Sequence, residues 1–238
     1  MDSSHPVGFL VPNWTPPSRP ERVSIQGRYC RLDPLDSDTD ATELFAAFSE
    51  DSGGIDWLYL PYGPFATTGE FGAWLSQIAR SDDPLFFTIR DLAGRAIGMA
   101  SYLRIDPANG SIEVGHIHFA PALQRTPAAS EAMYLMMRQA FDLGYRRYEW
   151  KCNALNERSR NAALRLGLSY EGTFRQATVQ KGRNRDTAWY AGIDSEWPAL
   201  KTAFETWLDP ENFDDAGIQQ VSLRKLTRPL LHDSWCVC

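Results

Sequence analysis

The sequence predicts a mixed α/β domain, of the α+β type, in which helices pack on one mostly antiparallel sheet. Segments with the two-residue alternation of strands and segments with the spacing of amphipathic helices follow one another along the chain. Short turns that contain glycine separate neighbouring strand segments, as in antiparallel hairpins. Hydrophobic residues make up 43% of the 238 residues and charged residues 23%, a composition that supports one folded core.

The N-terminal part predicts an arm, a strand, a helix and a loop. Residues 1–22 contain five prolines, which disfavour helix and central strand, so we expect an arm there. Val23–Leu32 alternates as a strand does, and Ala41–Ser49 is the first predicted helix. Asp56–Phe65 is aromatic and interrupted by proline and glycine, which predicts a loop that packs or binds.

The middle of the chain predicts a second helix and an antiparallel meander. Apolar residues of Glu70–Arg80 recur on one helical face. Gly94 and the Asn109-Gly110 pair mark two turns, because both positions tolerate a positive φ. The three strand segments around these turns are Leu85–Asp91, Ala96–Ile105 and Ser111–Ala120.

The remainder predicts helices that alternate with strands. A helix after Pro121 ends at Gly144, and the last predicted helix is Pro198–Leu208. Between these helices the predicted elements are the strand Tyr145–Cys152, the helix Asn156–Leu166 and a hairpin of Glu171–Gln180 with Asp186–Asp194. We therefore expect one domain over residues 23–208 and a polar tail over residues 209–238.

Charge and hydropathy exclude two classes of partner. The formal net charge is −6, from 24 basic and 30 acidic residues, so no basic field favours nucleic acid. No apolar segment approaches the length that crosses a bilayer, and the N-terminus lacks the pattern of a signal peptide. We expect a cytoplasmic protein that binds neither nucleic acid nor membrane.

The four cysteines do not predict a metal site or a disulfide framework. Cys30 and Cys152 lie in apolar strand segments, whereas Cys236 and Cys238 end the chain. Zinc sites need Cys-x-x-Cys or histidine partners at fixed spacing, which these positions lack. We expect two buried thiols, a frayed tail and no bound metal.

Two segments resemble the GNAT superfamily of acyl-CoA N-acyltransferases. Ile112–Phe141 is similar to the central strand, phosphate-binding loop and helix of these enzymes, whose loop reads Gln/Arg-x-x-Gly-x-Gly/Ala and is here Gln124–Ala129. Cys152–Gly172 resembles the Asn-x-x-Ser helix of the same superfamily, with Asn156 and Ser159 in register. The likeness in element order predicts a GNAT-like fold.

A third segment, Lys181–Trp197, resembles the hairpin and closing strand of the branch that includes ribosomal-protein N-terminal acetyltransferases. The resemblance implies an N-acetyltransferase that uses acetyl-CoA as acyl donor. The residues it assigns to cofactor binding are Phe119, Ala120, Gln124, Arg125, Thr126, Ala128, Ala129, Ser130, Asn156, Ser159 and Arg160.

The loop departs from the family pattern at Pro127, where the superfamily has glycine. If Thr126 is the N-cap, Pro127 is the first helical residue, where the missing N–H donor costs nothing. The amides of Ala128, Ala129 and Ser130 are then expected to be free at the positive end of the helix, which is an anion site. The alternative is an ordinary helix that begins with proline and binds nothing.

Acetyl transfer to an amine needs a base, because alkyl ammonium groups have a pKa near 10.4. Glu113 is the candidate: it lies eleven positions before Gln124, which resembles the place of the general-base glutamate in histone-acetylating members. The alternative is a structural carboxylate paired with an arginine such as Arg104. Strand alternation places His116 and His118 on the face opposite Glu113, and we rank both histidines below it.

The leaving thiolate needs a proton donor. The tyrosine that usually supplies it in the superfamily corresponds to Ala163, so that residue is absent here. Ser159 is the best substitute by resemblance, although a role in the first helical turn with Asn156 is a strong alternative. Backbone groups of Phe119 and Ala120 are expected to contact the thioester.

The acceptor is not determined by the sequence. A small-molecule amine is the leading expectation, and a protein or peptide N-terminus is the alternative within enzymes. A catalytically silent acyl-CoA-binding module is the alternative from another class, favoured by Pro127 and Ala163. A homodimer is left open.

Overall fold

The structure is a computed structural model that describes residues 7–51 and 53–232. In this part of the chain, eight strands form one sheet and six α-helices pack around it. The strands are β1 Ile25–Gln26, β2 Arg31–Pro34, β3 Leu85–Arg90, β4 Ala96–Asp106, β5 Ser111–Phe119, β6 Arg147–Asn153, β7 Ser169–Gln180 and β8 Arg183–Ile193.

Five of the helices agree with the predicted ones within a few residues, and the sixth lies in the segment that was predicted as a polar tail. They are α1 Ser37–Ser49, α2 Thr68–Ile78, α3 Pro127–Asp142, α4 Glu157–Arg165, α5 Trp197–Leu208 and α6 Leu223–Thr227. Short 3₁₀ turns add Ile55–Trp57, Pro210–Asn212 and Arg228–Leu230. Local signals explain the starts, since Asp36, Thr67, Thr126 and Asn156 each accept a hydrogen bond from an amide of the following first turn.

The sheet has the order β1-β2-β3-β4-β5-β6-β8-β7. Only the β5–β6 pair is parallel among these strands, and every other pair is antiparallel. The helix α3 forms the crossover that a parallel connection requires. The predicted fold class, a mixed and mostly antiparallel sheet flanked by helices, is confirmed.

The helices cover opposite faces of the sheet and create two apolar cores. The smaller core packs α1 and α2 on β3 and β4, with Phe48 and Phe71 at its centre. The larger core packs α3 and α5 on β4, β5 and β6, where the Tyr102 hydroxyl donates to the Met136 carbonyl at 2.6 Å. The sheet therefore separates two layers, and any passage between its strands connects them.

A buried carboxylate ties the N-terminal strands to α3. Glu131 is 4% exposed, and its carboxylate accepts the backbone amides of Arg28, Tyr29 and Cys30 at 2.8, 2.6 and 2.9 Å. A Cβ atom at Gly27 would collide with this carboxylate and would lie 2.9 Å from the Cys30 carbonyl oxygen, so glycine is needed there. Three charge-assisted hydrogen bonds thus hold the β1–β2 turn against the second turn of α3.

The flanking segments pack on the domain. The Trp14 indole donates to the Ala108 carbonyl at 3.2 Å, and Leu223 of α6 belongs to the larger core. The boundaries at residues 22 and 208 stay predictions. Cys30 and Cys152 are buried free thiols, as expected, whereas Cys236 and Cys238 lie outside the described residues.

Within the residues that the structure covers, no helix is long and apolar enough to span a membrane.

Replacing Glu131 by glutamine should lower the free energy of unfolding by roughly 1.5–3 kcal/mol, because hydrogen bonds to a buried charged group are lost or reversed. Urea denaturation followed by circular dichroism measures this change. The exposed Glu21→Gln substitution is the matched control and should leave stability unchanged. Equal stability of the Glu131→Gln and wild-type proteins would contradict the role of this carboxylate.

Candidate active site

Strands β5 and β6 separate in the middle of the sheet. They pair from Ser111 with Arg147 to Val114 with Trp150, and then the pairing ends. Both strands continue, β5 to Phe119 and β6 to Asn153. The edge of β5 beyond Val114 therefore faces an opening instead of a strand.

A bulge at His116 changes which side chains share a face of β5. The backbone of His116 has φ 51°, and the register with β4 moves from Ser101 opposite Gly115 to Met99 opposite His118. One extra residue is thereby inserted into β5, which reverses the alternation beyond it. The expectation that alternation separates Glu113 from His116 and His118 is wrong for this reason, and all three lie on the face that α1 and α2 cover.

Contacts confirm the position of the two histidines. The His116 Nδ1 atom lies 2.8 Å from the Ser101 hydroxyl. The His118 ring stacks on Phe48 with centroids 3.8 Å apart, and it meets Trp57 edge-on at 4.1 Å. Both His118 nitrogens are buried without a hydrogen-bond partner among the described residues.

Burial lowers the pKa of both imidazoles to about 4. For His116 the positive charges of Arg104 and Arg185 lower it further, whereas for His118 the carboxylate of Asp51 opposes the effect of burial. Both rings are therefore neutral at pH 7, and His116 is able to accept a proton only weakly.

Glu113 is buried next to the opening, one residue before the β5–β6 pairing ends, and it is held by two cations. It is 3% exposed, and its Oε2 atom lies 2.6 Å from Arg104 Nη1 and 2.8 Å from Lys151 Nζ. Its Oε1 atom makes no hydrogen bond to the part of the chain that the structure describes. The pairing with Arg104 expected for a structural carboxylate is present, and one oxygen stays available.

Glu113 belongs to a row of alternating charges that crosses the sheet. Lys151 also contacts Glu149 at 2.7 Å, and its Nζ atom lies 3.7 Å from the centroid of the Trp189 ring. Burial alone would raise the pKa of Glu149, but hydrogen bonds from Arg147 and Lys151 hold it below its ordinary value. In order across the sheet, the row is Arg104, Glu113, Lys151, Glu149, Arg147 and Glu171.

Sequence reasoning missed Lys151 in this row. The signal was the alternation Arg147, Glu149, Lys151, which places three charges on one face of β6.

The loop before α3 ends in the helix cap that the sequence predicts. Thr126 Oγ1 accepts the Ala129 amide at 3.2 Å and donates to the Leu123 carbonyl at 2.7 Å, and Pro127 begins the helix. Arg125 is exposed and adopts φ 61°. The N-terminus of α3 therefore faces outward beside the opening.

The expectation of three free amides is wrong for Ala129, because the cap uses its N–H group. Ser130 is 1% exposed, and its hydroxyl accepts from Arg165 at 3.0 Å. Ala128 is half-buried with no side chain beyond a methyl group. At this helix start Arg125 is exposed, and Thr126, Pro127 and Ala128 are half-buried.

Gln124, Phe119 and Ala120 close the end of β5. The Gln124 amide donates to the Phe119 carbonyl at 2.9 Å and to Asp56 at 2.7 Å. The Ala120 amide donates to the Ile97 carbonyl at 3.0 Å. The Gln124 side chain, the Phe119 carbonyl and the Ala120 amide thus already have hydrogen-bond partners within the chain. Their contacts with a cofactor stay predictions.

The start of α4 lies across the opening. Asn156 accepts the Ser159 amide at 3.1 Å, which makes it the helix cap, and the Ser159 hydroxyl accepts from the Trp150 indole at 3.0 Å. Arg160 donates to the Ala154 carbonyl at 3.3 Å. Ala163 is fully buried in the larger core.

A bridging segment, residues 55–60, spans the opening on the Glu113 side. The Trp57 carbonyl accepts from Lys181 at 2.9 Å, and the Tyr59 carbonyl accepts from Gln180 at 3.0 Å. The Tyr59 hydroxyl donates to the Leu155 carbonyl at 3.2 Å. A cavity of about 240 Å³ opens beside Asp56, where α1 ends.

Comparisons with known proteins agree with this geometry. Residues 30–169 match the family model of the acetyltransferase (GNAT) domain. The chain is 51% identical to a GCN5-related N-acetyltransferase from Brucella melitensis, with a TM-score of 0.89, and the match covers 91% of this chain and 99% of that one. No curated protein sequence matches the chain.

Two more distant structures share the fold. The microcin C7 self-immunity acetyltransferase MccE, solved with acetyl-CoA and AMP, is 20% identical with a TM-score of 0.62, over 70% of this chain and 93% of that one. The ribosomal L7/L12 α-N-protein acetyltransferase RimL is 19% identical with a TM-score of 0.62, over 71% and 93%.

Stability should fall as the pH drops from about 6.5 toward 4, because the unfolded chain then binds protons that the folded histidines do not. Replacing His118 by phenylalanine, which keeps the stack on Phe48, should reduce the loss between pH 7 and 4.5 by about 2 kcal/mol. Urea denaturation at several pH values measures it. The exposed His232→Gln control should keep the wild-type slope, and an unchanged slope in His118→Phe would refute the argument.

Proposed function

The chain belongs to the GNAT acetyltransferase family, and from that membership we propose that it moves an acetyl group from acetyl-CoA to the primary amine of a small molecule. GNAT acetyltransferases use acetyl-CoA, as the complex of MccE illustrates. The observation that carries the proposal is the opening between β5 and β6, which has the start of α3 at its side and the buried Glu113 next to the point where the pairing ends.

The residues beside the opening fit coenzyme A. The outward N-terminus of α3 favours a diphosphate, since the helix dipole and the Ala128 amide act together there with the Arg125 guanidinium. The single methyl group of Ala128 allows the close approach that glycine provides in the family pattern. Asn156, Ser159 and Arg160 are proposed to line the other side.

Glu113 is the proposed general base. Its Oε2 atom is fixed by Arg104 and Lys151, and its Oε1 atom is left to take the amine proton through a water. His116 is the second candidate, because the bulge brings it onto the same face and its ring is neutral. Ser159 is proposed to protonate the leaving thiolate.

The bridging segment supports a small acceptor. It spans the Glu113 side of the opening and is hydrogen-bonded to the β7–β8 hairpin and to the β6–α4 connection. A polypeptide would need this segment displaced along several residues. A protein N-terminus remains the alternative acceptor, because the distant neighbour RimL acts on ribosomal L7/L12. A module that binds acetyl-CoA without transferring it is the other alternative.

Replacing Ala128 by aspartate should weaken binding of coenzyme A at least about tenfold, since two like charges near 4 Å repel by ~1–4 kcal/mol. The fold should persist, because aspartate in the first helical turn favours the helix dipole. Isothermal titration with coenzyme A and the ligand-dependent rise in melting temperature measure binding. Ala122→Asp, exposed in the same loop, is the control. Unchanged coenzyme A affinity in Ala128→Asp would show that the diphosphate does not bind at this helix start.

Replacing Glu113 by glutamine should lower kcat/KM by roughly 10²–10⁴-fold with coenzyme A affinity unchanged, because the base is lost and the donor site is not. The loss should shrink at high pH, where more of the amine is already neutral. A thiol-release assay with acetyl-CoA against small amines and peptides supplies the acceptor.

Glu149→Gln is the matched control for this substitution, because Glu149 also neutralises Lys151. Equal losses in the two variants would show that Glu113 acts by holding Lys151. Unchanged activity of Glu113→Gln across the neutral range would show that Glu113 is not the general base. His116 would then be the candidate.

A further inference from the structure

Arg185 of β8 lies beyond the end of β6, at the open side of the site. The pairing of β6 with β8 ends at Asn153 opposite Thr187, and the hairpin continues with Arg185 opposite Thr178. Trp189 lies on the Lys151 side of the sheet, and alternation along β8 places Arg185 on that same side. Its side chain is half-buried next to the opening.

The guanidinium of Arg185 is oriented and has a free edge. Its Nη1 atom donates to Gln180 Oε1 at 2.7 Å, and Gln180 is itself bonded to the Tyr59 carbonyl of the bridging segment. Its Nε atom is buried and has no hydrogen-bond partner among the described residues. In the planar guanidinium, Nε–H and Nη2 form one edge, which suits a carboxylate bound through both oxygens.

Arg185 also differs from the other cations of the site in its pairing. Arg104 and Lys151 contact Glu113, whereas Arg185 forms no ion pair with a carboxylate in the part of the chain described. Burial lowers the pKa of Arg185, with the Cys152 thiol and Glu113 acting against it. A buried donor without a partner loses the hydrogen bonds of water and gains nothing in return, so an incoming anion would be strongly favoured.

Building on the proposed function, we propose that the acceptor carries a carboxylate near its amino group and that the Nε–Nη2 edge of Arg185 binds this carboxylate. The acceptor class is therefore an amino acid or a related amino-carboxylic acid. The acceptor reaches the enclosed Nε atom when the single Gln180–Tyr59 hydrogen bond opens, while the bonds of Trp57 to Lys181 and of Tyr59 to Leu155 keep the bridging segment in place. Binding of the carboxylate places the amine on the Glu113 side of the opening.

The same positive charge assists the chemistry of the amine. The charges of Arg104 and Arg185 already disfavour protonation of the neighbouring His116 ring. The two arginine charges also lower the pKa of an ammonium group bound beside the His116 ring. This ammonium group has to lose a proton before the amine attacks the thioester. The carboxylate supplies the attraction that a cationic amine alone would lack in this site.

The test compares acceptors that share an amine and differ only in the acid group. Amino acids of increasing chain length, each paired with its own carboxamide, are assayed with the full chain by thiol release from acetyl-CoA. The quantity measured is the ratio of kcat/KM for acid and amide, in wild type, Arg185→Gln, Arg185→Lys and the exposed control Arg183→Gln. Aminoalkyl phosphonates test whether another anion replaces the carboxylate.

We expect wild type to prefer the acid and Arg185→Gln to lower the acid-to-amide ratio at least about 30-fold, mainly through KM, because hydrogen bonds to a charged group are lost. Arg185→Lys should retain part of the preference for the acid. Lysine keeps the positive charge but lacks the two adjacent N–H donors of the guanidinium edge. Arg183→Gln should match wild type.

A wild-type preference for the amide, or for phosphonates over carboxylates, overturns the assignment without any variant. Equal losses for acid and amide in Arg185→Gln also overturn it, and indicate that Arg185 stabilises the transition state. Failure to acetylate any amine, with coenzyme A still bound, refutes the proposed function itself, whereas efficient transfer to amides alone refutes only the carboxylate.

Discussion

The parallel pairing of β5 and β6 ends after four residue pairs, and the site depends on this early end. Main-chain donors and acceptors inside a protein need partners. Along most of the sheet a neighbouring strand supplies them, but beyond Val114 the edge of β5 has no strand beside it. The same interruption brings the start of α3, the start of α4 and the hairpin around one opening. The bulge at His116 then places two histidines on the face of the sheet that also carries Glu113.

The charged row across the sheet ties these parts together electrostatically. Lys151 is 7% exposed at its side chain and depends on Glu113 and Glu149 for neutralisation. Removing one partner of a buried pair leaves an uncompensated charge, and this cost exceeds the value of the pair itself. Substitutions within the row are therefore coupled, and their effects on stability and rate will not add. Arg185 lies outside this compensation, because it forms no ion pair with a carboxylate in the part of the chain that the structure describes.

The sequence predicted what depends on local signals. Helix starts at Thr126 and Asn156, the turn at Gly110 and the antiparallel meander follow from caps and alternation within short segments. The bulge at His116 was not predictable, because an extra residue in a strand is visible only from its pairing with β4. Lys151 was missed because its ion pair with Glu113 joins two strands that are distant in the sequence. The Ala129 amide was misjudged because the cap that was predicted correctly uses it.

The opening passes through the sheet, and this determines how two substrates meet. The start of α3 belongs to the layer of the larger core, whereas Glu113 and the bridging segment belong to the opposite layer. With coenzyme A and the acceptor in their proposed positions, the two substrates would approach from opposite faces of the sheet and meet only between the strands. Neither has to leave before the other arrives, so the chain has no need to carry the acetyl group itself. The proposed function therefore predicts a ternary complex with direct transfer rather than a ping-pong cycle.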